Sequence, residues 1–300
     1  MTSRAVLDLY TGLRINFDEI ELGRKIGQGG FGDVFFATWN SSVVAVKKLR
    51  VQRVSKRRLE DFTKEMITFC DLEHPNIVRF IGTCLKTPNL AIVMEYMQTS
   101  LFTALHMSED DVEFTEDERL SILQQTACGL HYLHDNHIAH CDLKSHNILL
   151  DYESGVTCVA KITDFGLSMV KSDSESSVSA VEQVRNIGTP RYSAPEVLRG
   201  EMLSAQDMMQ TDIYSFALIM FEVIYEEEPY YNLGYAQLQK QVGGKGVTPE
   251  IPESPDVSGD IVSLVKECWD YKPRKRPEMG HILSILNEQT KLFVGTYTSY

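Results

Sequence analysis

Eight consecutive residues, His140-Cys141-Asp142-Leu143-Lys144-Ser145-His146-Asn147, bring a carboxylate, a lysine and an amide onto one short stretch. A second carboxylate follows at Asp164, in Asp164-Phe165-Gly166. Phosphoryl transfer needs a group that orients a hydroxyl and accepts its proton, and hard oxygen ligands for magnesium. Asp142 is the candidate base, a role worth roughly 10²–10⁴-fold, and Asn147 and Asp164 are the candidate magnesium ligands. Lys144 would steady the transferred phosphate as a point charge. Upstream, Gly27-Gln28-Gly29-Gly30-Phe31-Gly32 fits G-x-G-x-x-G, and Val44-Ala45-Val46-Lys47 ends a β-branched run on a lysine. Taken singly each piece has a duller reading: a glycine-rich hairpin, a lysine on a strand, an aspartate that caps a turn.

The elements around these residues decide between such readings. A dinucleotide-binding turn would open a helix that holds the pyrophosphate, but Asp33-Val34-Phe35-Phe36 continues as strand. The glycines are therefore expected in a hairpin lid whose backbone approaches phosphate closely, where a side chain would block the approach. Strands are expected over Glu19 to Ile26, Asp33 to Thr38, Val43 to Leu49, Ile77 to Phe80 and Leu90 to Met94. Alternation along the third should turn Lys48 to the face opposite Lys47, toward solvent. A helix from Ser55 to Leu72, with Leu59, Phe62, Met66, Ile67 and Phe69 at helical spacing, stops at His74-Pro75-Asn76. After Tyr96 the pattern becomes helical: Glu116 to His137 with an apolar face of Leu120, Ile122, Leu123, Ala127, Leu130 and Leu133, then Asp212 to Tyr225, Ile261 to Trp269 and Met279 to Leu292. The spacing predicts a β-rich unit followed by a larger α-rich one with a cleft between them, a usual place for ligands.

Composition narrows the function classes. The chain has 300 residues and a formal net charge of −13, which argues against a nucleic-acid-binding surface. No run reaches the roughly 18 apolar residues of a membrane span; the best, Phe216 to Ile224, is short and carries Glu222. The start has no apolar signal core. Six cysteines without a C-x-x-C pair fit a reduced, cytoplasmic compartment better than a disulfide framework. His131, His134, His137 and His140 recur every third residue, but a helix turns about 100° per residue, so they drift around it and zinc is disfavoured. Lys171 to Ser179, rich in serine and acids, reads as a surface loop.

In joint order the glycine turn, Lys47, Glu65, His140-x-Asp142-x-x-x-x-Asn147, Asp164-Phe165-Gly166, Ala194-Pro195-Glu196, Asp212 and Arg276 resemble a protein kinase domain. The resemblance implies an α+β, bilobal protein kinase-like fold over 17–292: a small β-rich N-lobe (17–96), a larger α-helical C-lobe (97–292), and short flanks at 1–16 and 293–300. It implies ATP and Mg2+ as cofactors, with Asp142, Lys144, Lys47 and Glu65 as catalytic residues and a Lys47–Glu65 ion pair. The nucleotide would lie against Ile26, Gly27, Gln28, Gly29, Gly30, Phe31, Gly32, Val34, Ala45, Lys47 and Leu149. Met94 would be the gatekeeper, and Glu95 to Met97 the hinge that binds adenine. His140 and Phe165, with Phe69 and Phe80, look like packing residues of an internal spine, and Glu196 and Arg276 like a buried pair.

Lys144-Ser145-x-Asn147 and Gly188-Thr189-Pro190-x-Tyr192 are similar to the serine/threonine type. Trp39, Tyr214-Ser215-Phe216 and Cys268-Trp269 lean to the tyrosine-kinase-like (Raf-like, mixed-lineage-like) branch. The expected partners are protein substrates with serine or threonine acceptors; tyrosine or dual specificity and a pseudokinase scaffold remain alternatives. A metabolic phosphotransferase conflicts with Ala194-Pro195-Glu196. One residue departs from the family pattern. Cys141 stands where most kinases carry the arginine that receives an activation-loop phosphate, and cysteine cannot replace a guanidinium fork. Phosphorylation at Ser172, Ser174, Ser176, Ser177 or Ser179 is therefore not expected to couple to catalysis by that route. A redox role for Cys141 would need a lowered thiol pKa and access.

Overall fold

The computed structural model describes residues 14–28, 32–50, 66–107, 114–153, 157–165, 169–170, 190–253 and 257–297. The chain divides into two compact units, 1–98 and 99–300. The first is built on a five-stranded antiparallel sheet of β1 (Ile20–Gln28), β2 (Gly32–Trp39), β3 (Ser42–Leu49), β4 (Phe80–Cys84) and β5 (Ala91–Glu95), in the order β1-β2-β3-β5-β4. Its register sorts the side chains by face, because cross-strand partners point the same way. Ala37, Val44, Val46 and Val93 bury one face together with Ile15, Ile20, Cys84 and Ala91. The opposite face carries the row Gly27, Val34, Lys47 and Ile92, and the row Phe36, Ala45 and Met94.

Two expectations need correction in this unit. The fourth strand lies at Phe80–Cys84 and not at Ile77 to Phe80. His74 explains the shift: its ring accepts the Asn76 N–H at 3.1 Å and its carbonyl accepts the Ile77 N–H at 3.1 Å, so the chain turns where strand was expected. Ile77 and Val78 are buried all the same. Lys48 is half-buried, and its ammonium lies 4.7 Å from the Phe17 ring centroid, a cation–π contact that shields it from solvent. Of the helix expected from Ser55 to Leu72, residues 66–70 are helical and 51–65 lie outside the described residues.

The second unit is mainly helical. A short strand β6 (Thr99–Ser100) pairs with β8 (Ile148–Glu153), which pairs with β9 (Thr157–Ile162); β7 (Ile138–Ala139) pairs with β10 (Met169–Val170). Its helices are α1 (Leu101–His106), α2 (Glu116–Asp135), α3 (Pro195–Arg199), α4 (Ala205–Tyr225), α5 (Tyr235–Leu238), α6 (Gly259–Cys268) and α7 (Met279–Tyr297). Thr115 and Glu118 start α2 with a capping box, and its six expected apolar residues are buried. Helix α2 stops at Asp135, two residues early, where His137 takes a positive φ of 59°. Helix α4 begins seven residues before the expected Asp212, because Ser204 and Asp207 form a capping box upstream of the apolar run. It is buried almost all round, the mark of a central helix.

Candidate functional site

In the first unit the sheet register does the positioning. Val34, Ala45, Lys47 and Met94, all expected against nucleotide, share the face opposite the apolar cluster. Ala45, Met94 and Met97 are buried, and so is Lys47 at 7 % exposed; a buried ammonium demands compensating charge. Glu65, its expected partner, lies outside the described residues, as do Gly29, Gly30 and Phe31. Ile26 and Gln28 are exposed and Gly27 is half-buried near the end of β1. The β1–β2 pairing on either side of the glycines makes the expected hairpin.

The glycines differ in what they are for. A Cβ at Gly32 would sit 2.4 Å from the Lys48 carbonyl oxygen, so strand packing alone already demands glycine there. A Cβ at Gly27 would meet only Val34 at ordinary contact, 3.5 Å, so packing among the described residues does not demand glycine there. Of the hinge amides, that of Glu95 already donates to the Arg79 carbonyl at 3.0 Å. Phe69 and Phe80 meet edge to face at 5.6 Å, so these two of the expected packing residues do touch.

In the second unit Asp142 is the centre. Lys144 Nζ donates to its Oδ2 at 2.7 Å, and Asn147 Nδ2 donates to its carbonyl at 2.8 Å. Burial pushes the Asp142 carboxyl above its usual range, Lys144 pulls it back, and the negative charge of Asp164 pushes it up again. Asp164 thus lies near enough to act on Asp142, and it adopts a left-handed φ of 68°, a conformation that costs a non-glycine residue roughly 1–2 kcal/mol. The loop's strands and turn bind to one another: Thr163 N–H donates to the Asn147 carbonyl at 2.9 Å, and Asn147 N–H to the Lys144 carbonyl at 2.9 Å. With Asn147 Nδ2 committed to Asp142, its amide oxygen is the atom of the kind magnesium takes, and two carboxylates that repel one another suit a divalent cation. The donor set fits the metal.

His140 is fully buried and spends both ring nitrogens: Nε2 on the Thr163 carbonyl at 2.9 Å and Nδ1 as acceptor for the Asp142 N–H at 3.3 Å. Its ring lies 5.5 Å from that of Phe165, so these two expected packing residues also meet. Asp212, from α4, accepts the His140 N–H at 2.8 Å, the Cys141 N–H at 2.9 Å and His134 Nε2 at 2.9 Å. Among the described residues no group of three His, Cys, Asp or Glu could hold a metal, and His134 serves Asp212. Glu196 and Arg276 form the expected pair, both side chains fully buried, through bonds of 2.7 and 2.9 Å.

A family model of the protein kinase domain matches residues 20–286. The chain belongs to the protein kinase domain family. Serine/threonine-protein kinase CTR1 of Arabidopsis thaliana is 38 % identical over 277 residues, 91 % of this chain and 32 % of that protein. Serine/threonine-protein kinase STY17 of the same plant is 32 % identical over 275 residues, 91 % of this chain and 45 % of that protein. A protein of Acanthamoeba polyphaga mimivirus named as the serine/threonine-protein kinase/receptor R831 is 35 % identical over 283 residues, 93 % of this chain and 16 % of its own length. These names agree with the tyrosine-kinase-like serine/threonine resemblance. The kinase domain spans between about a sixth and a half of these relatives.

Cys141 of this kinase domain sits at a positive φ of 65° and packs on Ala139, Leu203 and Met208. Burial pushes its thiol well up, and Asp212 and Asp142 push it further. These effects favour a neutral packing group and run opposite to the lowered pKa that a redox role would need. Thr189 and the five loop serines lie outside the described residues. Sequence reasoning missed one group entirely. Glu222, used there only to reject a membrane span, is fully buried and accepts bonds from Ser145 Oγ at 2.8 Å, Tyr192 Oη at 2.8 Å and His106 Nε2 at 2.9 Å. Its signal was legible: a lone carboxylate in an apolar helical run must find partners.

Proposed function

We propose that this kinase domain transfers the γ-phosphate of ATP to serine and threonine hydroxyls of protein substrates. The observation that carries the reading is Asp142, held by Lys144 on its carboxylate and by Asn147 on its carbonyl. Asp142 orients the incoming hydroxyl and accepts its proton; its partial burial keeps the carboxylate basic. Lys144 balances that carboxylate and steadies the transferred phosphate. Lys47 and its sheet face hold the remaining phosphates, and Ala45, Met94 and Met97 supply an apolar surface for adenine. Magnesium, when bound, neutralises phosphate charge, and Asn147 and Asp164 would hold it. The similarity to enzymes named as serine/threonine kinases supports the choice of acceptor. The six free thiols support work in a reducing, cytoplasmic compartment.

A peptide array with wild type, Asp142→Asn and Asp164→Ala, followed by phosphoamino-acid analysis, tests the reading. Magnesium-dependent phosphoserine and phosphothreonine from wild type, lost in both variants, is the expected result. Predominant phosphotyrosine would reject the acceptor class, and no transfer by wild type would leave a scaffold in place of an enzyme.

A further inference from the structure

The reaction as read above uses Asp142, Lys144, Asn147 and Asp164 but leaves unexplained a fully buried carboxylate behind them. Glu222 lies near the end of α4 with no exposure to solvent. Three elements converge on it. Ser145, in the 3-10 turn Ser145–Asn147 that directly follows Lys144, donates to Oε1; Tyr192, from the turn Pro190–Tyr192, donates to Oε2; His106, the last residue of α1, donates from Nε2 to Oε1. The Ser145 and Tyr192 hydroxyls also lie 3.0 Å apart. A second link ties Tyr192 to the same helix, since Ser215 Oγ donates to its carbonyl at 2.8 Å.

Hydroxyls alone are poor compensation for a carboxylate buried this deeply, and of its three donors only the imidazole can carry positive charge. We infer that His106 is a positioning residue for phosphoryl transfer: its imidazolium balances Glu222, which in turn holds the catalytic loop at Ser145 and the segment around Tyr192. The inference rests on the assignment of Asp142 as the base. His106 faces Glu222, Glu228 and Glu226 from the end of α4, and the bond to Glu222 raises its pKa above the usual 6.5 against the cost of burial. From the catalytic loop it faces His146, which burial first and then Lys144 push down. The Phe102 ring contacts both imidazoles, stacked on His146 at 3.8 Å and tilted against His106 at 5.0 Å. The sign follows: the hub is fully charged below pH 6.5 and loses its cation as pH rises through the raised value.

Two measurements test this. The imidazole signals of wild type and Glu222→Gln are titrated by NMR, with His106→Gln to assign the resonance; peptide phosphorylation by wild type and His106→Gln is followed from pH 6 to 9. Wild-type His106 should titrate above 6.5 and fall back toward 6.5 in Glu222→Gln. In His106→Gln kcat should drop roughly tenfold at pH 6.5, KM for ATP should hold, and the fall of kcat with rising pH that wild type shows in this window should vanish. A wild-type His106 that titrates at or below 6.5, or a variant with wild-type kcat and pH profile, overturns the inference. If His106→Gln does not fold, the Glu222→Gln titration, its resonance assigned by proximity to Phe102, decides alone. Absence of transfer by wild type would sink the Asp142 assignment instead, and the titration would still report on the hub.

Discussion

Asp212→Asn is the most exacting test of how the catalytic loop is held. Asp212 is 1 % exposed and takes two donors, the His140 N–H and His134 Nε2, on Oδ2, and one, the Cys141 N–H, on Oδ1. Asparagine has one oxygen to offer. Left where it satisfies two donors, it turns Nδ2 onto the Cys141 N–H, donor against donor. A hydrogen bond to a charged group contributes roughly 1.5–3 kcal/mol. Cys141 adds a second liability, because its left-handed φ of 65° costs a non-glycine residue roughly 1–2 kcal/mol and this bond helps hold it. At about 1.4 kcal/mol per tenfold, the bond alone corresponds to a loss of about 10- to 150-fold in the population of ordered loop, and kcat should fall within that range. KM for ATP should stay within about twofold, since the residues assigned to adenine and its phosphates belong mostly to the sheet unit. Steady-state peptide phosphorylation alongside thermal melting measures both. Adding Cys141→Gly, which removes the left-handed penalty, should recover up to about tenfold. A kcat within threefold of wild type in a folded Asp212→Asn protein would refute the reasoning.

Arg276→Met strands Glu196 in the interior and removes four hydrogen bonds, to Glu196 twice, the Gln210 carbonyl and the Asp270 carbonyl. Breaking a buried pair costs roughly 3–5 kcal/mol, so melting should fall by about 6–20 °C, and Glu196→Leu in the same chain should restore part of it; a fall under about 3 °C would count against the pair. Gly32→Ala should lower melting by several degrees, because its Cβ meets a strand carbonyl and overpacking costs roughly 1–3 kcal/mol. Gly27→Ala, whose Cβ finds ordinary contact, should melt as wild type yet raise KM for ATP; unchanged KM would deny that glycine its role. Replacing Ser172, Ser174, Ser176, Ser177 and Ser179 together with alanine should leave peptide phosphorylation nearly unchanged, and a tenfold loss would refute that.

What was legible in the sequence was what short-range periodicity reports. Alternation along β3 separates Lys47 from Lys48, and the helical spacing of Leu120 to Leu133 marks the buried face of α2. The failures came where a local hydrogen bond outcompeted a pattern, as at His74, or where a cap lay outside the apolar run, as at Ser204. Lys48 was sent to solvent because alternation says which face a side chain takes and not what covers it; Phe17 does. The contacts of Asp212 with His140 and Cys141 and of Glu222 with Ser145 join residues more than 70 positions apart in sequence, and no window along the chain reports such a pairing. The assignment of Glu196 with Arg276 came from family resemblance alone.

These long-range contacts have a common source. Asp212 and Glu222 lie ten residues apart on α4, about 15 Å along its axis, and they grip the catalytic loop at its two ends: the His140 and Cys141 amides at one, the Ser145 hydroxyl at the other. Asp142 and Lys144 sit between the clamps. A helix buried on nearly every side moves little, because a close-packed interior resists displacement, so it can serve as a fixed base for both. Cys141 shows the division of labour. Its N–H is essential to one clamp, while its side chain, a neutral thiol packed on Leu203 and Met208, offers no charge to an incoming phosphate. Backbone placement at this position is therefore secured from the interior and not by a charge on the side chain. An arginine there would add a receptor for loop phosphate without being needed to hold the loop, which is the physical reason a cysteine can replace it in a kinase domain that keeps Lys47, Asp142, Asn147 and Asp164.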